Sequence, residues 1–146
     1  MELFGFGPHL MIDGYHANPA KLDDVELIRQ VLDELPVAME MTKIMPPHVA
    51  RHTGLTPEDS GVTGVVIIAE SHIAIHTFPH KGFLSVDVFS CKDFDTQKAL
   101  DALVGRFEIG RFDTHFINRG KEWPKNLEEV EKILAGEREY VEARIA

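Results

Sequence analysis

The chain has 146 residues, 44% hydrophobic and 27% charged, a length and balance that indicate one globular domain with a sizeable core. Its formal net charge of −9, without any concentrated basic stretch, argues against nucleic acid or an anionic membrane as a partner but not against a small cationic substrate. The single cysteine, Cys91, excludes an internal disulfide and a cysteine-based zinc site, and it fits a reducing cytoplasm. We expect neither a signal peptide nor a membrane span, because no apolar run has the required pattern or length.

Alternating and helical hydrophobic patterns divide the chain into strands and helices. In chain order they predict a strand at 8–15, a helix at 21–39, a strand at 42–49, a polar loop at 51–61, strands at 62–70, 72–78 and 83–91, a helix at 95–107, a strand at 111–118 and a strongly charged, weakly packed helix at about 126–143. Pro46 and Pro47 would interrupt the second strand, because proline cannot donate to a central ladder. Asp23 or Asp24 could cap the first helix, and Asp95 opens the second. This order predicts an α+β domain with helices layered on one face of a mainly antiparallel sheet.

Several polar side chains fall on faces of these predicted strands. Asp87 and Cys91 share one face because strand side chains alternate, although Cys91 alone is most simply a small buried hydrophobe. His72 and His76 also share a face but lie about 13 Å apart, too far to bind one metal ion together. Because His80 could fold back across the turn, a zinc or copper site of these histidines and a carboxylate stays open.

The pair Glu70-Ser71 stands within an otherwise apolar strand pattern. Ser71 does not lie in the sharp G-x-S-x-G turn that exposes the nucleophile of many hydrolases. Taken alone, its hydroxyl could simply hydrogen-bond to its neighbours, so these two residues do not define a function by themselves.

The stretch GVTGVVIIAESHIAIHTFPHKGFLSVDVFSC, residues 61–91, resembles the prokaryotic S-adenosylmethionine decarboxylase family. The resemblance rests on Glu-Ser-His at 70–72, on a second histidine five residues after the serine and on a cysteine twenty residues after it. A weaker likeness is visible in GPHLMIDGY, residues 7–15. The resemblance implies a two-layer α/β sandwich and a homodimer of processed protomers with active sites near the interface.

The resemblance also implies a self-processing proenzyme of polyamine biosynthesis. The Ser71 hydroxyl would attack the carbonyl of Glu70, and the single domain would be cut into fragments 1–70 and 71–146. Ser71 would become a covalent pyruvoyl group, and His76 would assist the elimination that releases the first fragment.

Two further residues match positions with roles in the family. Thr63 would hold the ester formed during processing, with threonine where the family usually has serine. The pyruvoyl group would form a Schiff base with the substrate amine and accept the electrons left when CO₂ departs. Cys91 would then donate a proton to the product.

Substrate recognition is where the sequence departs from the family. Asp13 falls near an acidic active-site position, with Asp where Glu is common. His80 replaces a glutamate that binds ribose hydroxyls, and Pro57 occupies the place of an aromatic residue that stacks on adenine. Phe78 could still offer an aromatic face.

Three functions therefore remain open. S-adenosylmethionine is the favoured substrate, because most of the family acts on it. The first alternative is the same machinery acting on L-ornithine or L-arginine. The second is an uncleaved, non-enzymatic domain that binds a small molecule or a metal.

Overall fold

The computed structural model describes residues 6–120 and 135–136, in which the chain forms seven strands and three helices. In chain order these are β1 (Gly7–Tyr15), α1 (Pro19–Leu22), α2 (Val25–Ala38), β2 (Thr42–Lys43), β3 (His48–His52), β4 (Gly61–Ala69), β5 (Ser71–Phe78), β6 (Phe83–Ser90), α3 (Thr96–Phe107) and β7 (Arg111–Arg119). Short 3₁₀ turns lie at Pro57–Asp59 and Pro79–Lys81. None of the described helices is long and apolar enough to cross a membrane.

The strands form one antiparallel sheet in the order β2-β4-β5-β6-β1-β7, and β3 also pairs with β4. Helix α2 packs against β3, β4 and β5, and α3 packs against β1. The predicted α+β architecture is therefore confirmed as a two-layer sandwich. Because β1 inserts between β6 and β7, the beginning of the chain lies beside the end of β6.

Strand alternation separates a buried face of the sheet from an open one. The buried face meets the helices through side chains such as Ile73 and Ile75 of β5, which are fully buried. We call the other side the open face; it carries Thr63, Val65, Ile67, His72, Ala74, His76, Phe78, Phe83, Ser85, Asp87, Phe89, His9, Met11, Asp13, Tyr15 and Ile117. Thr63 of β4 and His76 and Phe78 of β5 therefore point away from the helical layer, whereas Ser71 pairs in the row of the buried residues Ile68 and Ser90.

One buried polar side chain fastens the helical layer to the sheet. The Thr77 hydroxyl donates to the carbonyl oxygen of Leu22 at 2.7 Å and accepts from the Val62 N–H at 3.0 Å. A buried hydroxyl with both contacts satisfied stabilises the fold, whereas an unpaired one would destabilise it. Thr77 thereby holds the segment of β5 that carries His76.

The structure corrects the first predicted helix. The Asp24 carboxylate caps α2 by accepting from the Leu27 N–H, so this helix begins at Val25. The preceding residues form the separate helix α1, which Asn18 caps. The prediction of one helix over 21–39 was wrong. An N-cap residue has a non-helical backbone, so Asp24 starts α2 and at the same time interrupts the helix before it.

The structure also corrects the prediction for the residues around the two prolines. Pro46 and Pro47 do separate two strands, as predicted, but β3 extends to His52 and into the segment 51–61 that was expected to be a loop. Its pairing with β4 supplies backbone partners that the local sequence does not reveal. Apart from the helical residues 135–136, the predicted helix at about 126–143 lies outside the described residues.

Candidate active site

Glu70 and Ser71 lie at the junction of β4 and β5, at one end of the sheet. Ser71 is half-buried and has a φ of 136°, a backbone conformation that residues with side chains rarely adopt. Such a conformation costs about 1–3 kcal/mol and is found preferentially at functional sites. The predicted cleavage position is therefore one of local backbone strain.

Cys91 follows β6 directly and contacts Glu70 through both its backbone and its side chain. The Cys91 N–H donates to the Glu70 carbonyl oxygen at 3.3 Å. In the opposite direction, the Glu70 N–H donates to the Cys91 Sγ, also at 3.3 Å. Ser90, the residue before Cys91, pairs with Ser71 across the two strands. The fold thus brings together a thiol and a peptide bond that are about twenty residues apart in sequence.

Thr63 and His76 form a second contact, which lies on the open face. They face each other on β4 and β5, and the Thr63 Oγ1 lies 3.2 Å from the His76 Nδ1. The ring tautomer decides which of the two donates. The same cross-strand row continues through Ser85 to Asp13, which is half-buried two strands away from His76.

These predicted residues do not form one cluster within a single chain. Five residues of extended strand separate Ser71 from His76, a distance of about 17 Å. That distance exceeds the combined reach of the two side chains. The structure therefore divides the predicted machinery into a cleavage group (Glu70, Ser71, Cys91) and a His76 group (Thr63, His76, Asp13).

Phe78 and His80 lie at the end of β5 remote from Ser71. The Phe78 ring packs against Phe83, with 5.9 Å between ring centroids, and meets the edge of His52 at 6.4 Å. The Lys81 ammonium lies 5.7 Å from the centre of the same ring. His80 is exposed in the 3₁₀ turn that follows β5. The structure places both residues on the side of the molecule that carries the His76 group.

The loop that precedes β4 lacks aromatic side chains. Residues 53–60 contain no aromatic side chain, and Pro57 is exposed. The Asp59 carboxylate accepts from the Thr56 hydroxyl at 3.0 Å and from Lys81 at 3.3 Å, and these two interactions lower the pKa of Asp59. The loop is thereby tied to the turn that carries His80.

Sequence reasoning missed a network around His9. The His9 Nε2 lies 3.1 Å from the Asp87 Oδ1, and its Nδ1 lies 3.5 Å from an Arg119 nitrogen. Its ring packs on Phe89, with 5.1 Å between centroids. The signal was present in the alternation of GPHLMIDGY, which puts His9 and Asp13 on the same face of β1.

The histidines do not assemble into a metal site. His72 meets the edge of Phe89, with 5.9 Å between centroids, on a different cross-strand row from His76. Within the described part of the chain, no group of three histidine, cysteine or acidic side chains is arranged to hold a metal ion. The zinc or copper alternative therefore has no geometric support among these residues.

Comparison with known proteins adds an independent observation. A family model described as S-adenosylmethionine decarboxylase matches residues 8–120, which span β1 to β7 and include both groups of candidate residues. The chain belongs to the S-adenosylmethionine decarboxylase family. The predicted family resemblance is thus confirmed.

Individual proteins of this family are similar to the chain in sequence and in structure over most of its length. It is 36% identical over 129 residues to a protein of Aquifex aeolicus named S-adenosylmethionine decarboxylase proenzyme, covering 87% of this chain and 91% of the relative. A protein of the same name from Thermococcus onnurineus is 33% identical, with coverages of 84% and 82%. The crystal structure of the adenosylmethionine decarboxylase from Aquifex aeolicus superimposes with a TM-score of 0.68 at 33% identity, covering 81% of this chain and 93% of that one.

Proposed function

We propose that this family member is a pyruvoyl-dependent decarboxylase that cleaves itself between Glu70 and Ser71 and acts on S-adenosylmethionine in polyamine biosynthesis. The observation that carries the proposal is the contact of the Cys91 thiol with Glu70, beside the strained Ser71 backbone. The name "proenzyme" of the relatives supports a precursor that must be processed.

Self-processing follows from the atoms of the cleavage group. The Ser71 Oγ attacks the carbonyl carbon of Glu70; a C–O bond forms and the peptide C–N bond breaks, which leaves an ester and a free amine. A base then removes the proton on the Ser71 Cα, the Cβ–O bond breaks, and Glu70 departs as a carboxylate. Addition of water and loss of ammonia leave a pyruvoyl group at the new N-terminus. His76 is the predicted base, and Thr63 is positioned to orient its ring.

The residues around position 71 suit such a group. The pyruvoyl group supplies a carbonyl that binds the substrate amine and takes up the electrons released with CO₂. The Cys91 Sγ lies 3.3 Å from the Glu70 nitrogen, next to the reacting residue, where a thiol would act as the general acid toward the product carbon. The acidic chain suits a cationic amine substrate.

The distance between the two groups supports a homodimer with shared active sites. His76 lies about 17 Å from Ser71 in its own chain, so it needs a second copy to act there. A two-fold axis that packs one open face on another would bring the His76 group of one copy to the cleavage group of its partner. The open face also carries exposed apolar side chains, Ile67 at 41% and Ile117 at 52%, which such packing would cover.

One observation favours an alternative substrate. The loop 53–60 lacks an aromatic residue, and His80 stands where the resemblance implies a ribose-binding glutamate. A pocket without these contacts would suit L-ornithine or L-arginine, with the same processing and the same Cys91 chemistry. The substrate trapping described at the end of the Discussion separates these possibilities.

The test of self-processing is the mass of the denatured protein. We expect the unaltered chain to give two fragments that meet between residues 70 and 71, and Ser71→Ala to give one. Ser90→Ala is the comparison variant, because it removes a serine hydroxyl directly opposite Ser71 while the Ser71 hydroxyl stays in place; we expect it to give two fragments. An unaltered chain that stays whole would reject the proposal and favour a non-enzymatic binding domain.

A further inference from the structure

We propose that Gly7 is a positioning residue that fixes the place of the Cys91 thiol and thereby directs its proton to the substrate carbon. This inference rests on the proposed decarboxylase function. It concerns a residue that contacts Cys91 from the side opposite Glu70.

The space at Gly7 admits no side chain. A Cβ at this position would lie 2.8 Å from the Cys91 Cα and 2.9 Å from the Ser90 carbonyl carbon, and it would overlap the Ser90 carbonyl oxygen. All three are backbone atoms, so no side-chain rotation can relieve the overlap. Any substitution must displace either β1 or the end of β6.

Strand β1 is held from its other side and cannot move away easily. Gly7 pairs with Arg119 of β7, and the Phe6 N–H donates to the Arg119 carbonyl oxygen at 2.8 Å. Gly7 and Pro8 are both buried. A retreat of β1 would therefore break pairing along the β1–β7 edge.

The contacts of β6 with β1 end at Phe89. The last β1–β6 pair joins His9 and Phe89, and the Phe89 ring packs against the rings of Phe6, His9 and His72, with centroids 5.5, 5.1 and 5.9 Å away, and under the Arg119 guanidinium at 4.4 Å. Beyond Phe89, Ser90 pairs with Ser71 and the Cys91 N–H donates to the Glu70 carbonyl oxygen. A side chain at position 7 would therefore push Ser90 and Cys91 toward Glu70 and Ser71, and so displace the thiol relative to the cleavage position.

A displaced thiol has a specific chemical consequence. Protonation of the substrate carbon, followed by hydrolysis of the C=N bond that holds the substrate, would release the decarboxylated amine and restore the carbonyl of residue 71. Protonation on the residue-71 side instead, followed by the same hydrolysis, would release the product as an aldehyde and leave the amine nitrogen on residue 71. The fragment then begins with alanine and is inactive. The position of Cys91 thus controls how many turnovers occur before inactivation.

The experiment compares Gly7→Ala with Gly110→Ala in the purified, processed enzyme. Gly110 is the control, because a Cβ there also approaches backbone, 3.2 Å from the His16 carbonyl oxygen, but at the opposite end of β1 from Cys91. We expect Gly7→Ala to raise the ratio of N-terminal alanine to decarboxylated amine roughly tenfold or more, since a misplacement of about 1 Å has large effects on catalysis. Gly110→Ala should leave this ratio unchanged.

A double-mutant cycle with Cys91→Ala tests whether the effect passes through the thiol. If Gly7 acts by placing Cys91, adding Gly7→Ala to Cys91→Ala should cause no further change in the ratio. An unchanged ratio in folded Gly7→Ala, or an equal change with and without Cys91, would overturn the inference. Should Gly7→Ala fail to fold, Phe6→Ala, which loosens the start of β1 without adding a Cβ, should raise the ratio by a smaller factor, again only when Cys91 is present.

A readout without turnover uses the fact that Cys91 is the sole cysteine. In the uncut Ser71→Ala background, we expect Gly7→Ala to change the rate of Cys91 alkylation by iodoacetamide, whereas Gly110→Ala should not. Equal rates would count against a displaced thiol. Different results would overturn the proposed function and the role of Gly7. An unaltered chain that stays uncut overturns both. If the chain is cut but Gly7→Ala leaves the ratio and the alkylation rate unchanged, only the role of Gly7 is overturned.

Discussion

Two variants that cannot cleave themselves should together form a dimer in which one of the two chains is cleaved. Ser71→Ala lacks the attacking hydroxyl, and His76→Ala lacks the base. Because about 17 Å separates these residues within one chain, His76 is expected to serve the Ser71 of its partner. A mixed dimer then contains one complete site. Random pairing makes about half of the dimers mixed, so about a quarter of the wild-type number of sites should be complete.

The assay is co-expression of the two variants with different affinity tags, followed by purification through both tags and mass measurement of the denatured chains. We expect cleavage of only the His76→Ala chain, which retains Ser71. The control pairs Ser71→Ala with the double variant Ser71→Ala/His76→Ala, which should give no cut chain, because neither chain of that dimer carries the attacking hydroxyl. Rapid cleavage of His76→Ala by itself, or no cleavage in the doubly tagged dimer, would refute this assignment.

Substitutions at four further positions test the remaining roles. Cys91→Ala should still cleave but decarboxylate about 10²–10⁴-fold more slowly, as expected for a lost general acid, and an unchanged rate would remove Cys91 from the mechanism. Thr63→Ala should slow cleavage roughly fivefold to tenfold by removing one hydrogen bond to His76, whereas Thr63→Ser should cleave normally in the same time course. His80→Glu should raise the ratio of activity on S-adenosylmethionine to that on ornithine or arginine, and an unchanged ratio would show that His80 does not select the substrate. Thr77→Val should lower the free energy of unfolding by about 1–3 kcal/mol, measured by urea titration, because it leaves two buried backbone groups without a partner.

Short-range patterns predicted much of this fold. Alternation placed Ile73 and Ile75 on the buried face and His72 and His76 on the open face, as the structure shows. The carboxylate of Asp95 caps α3 as expected. These features depend on neighbours within a few residues, which is why the sequence pattern reveals them.

Contacts between distant segments could not be predicted in this way. The placement of Gly7 beside Cys91 depends on β1 inserting between β6 and β7, a pairing that no local pattern encodes. The separation of the cleavage group from the His76 group could not be predicted either. Ser71 and His76 are close in sequence, yet a strand is the conformation that separates them most. The extension of β3 to His52 likewise required its partner strand.

Self-cleavage and substrate choice can be measured together from the mass of the denatured protein after incubation with a candidate substrate and a reductant that fixes a bound amine to a carbonyl. S-adenosylmethionine, ornithine and arginine are each supplied in a separate tube. We expect two fragments that meet between Glu70 and Ser71, with an adduct from S-adenosylmethionine on the 71–146 fragment. An adduct from ornithine or arginine alone would keep the pyruvoyl chemistry and replace the substrate. A single uncut mass in every tube would rule out a self-processing decarboxylase.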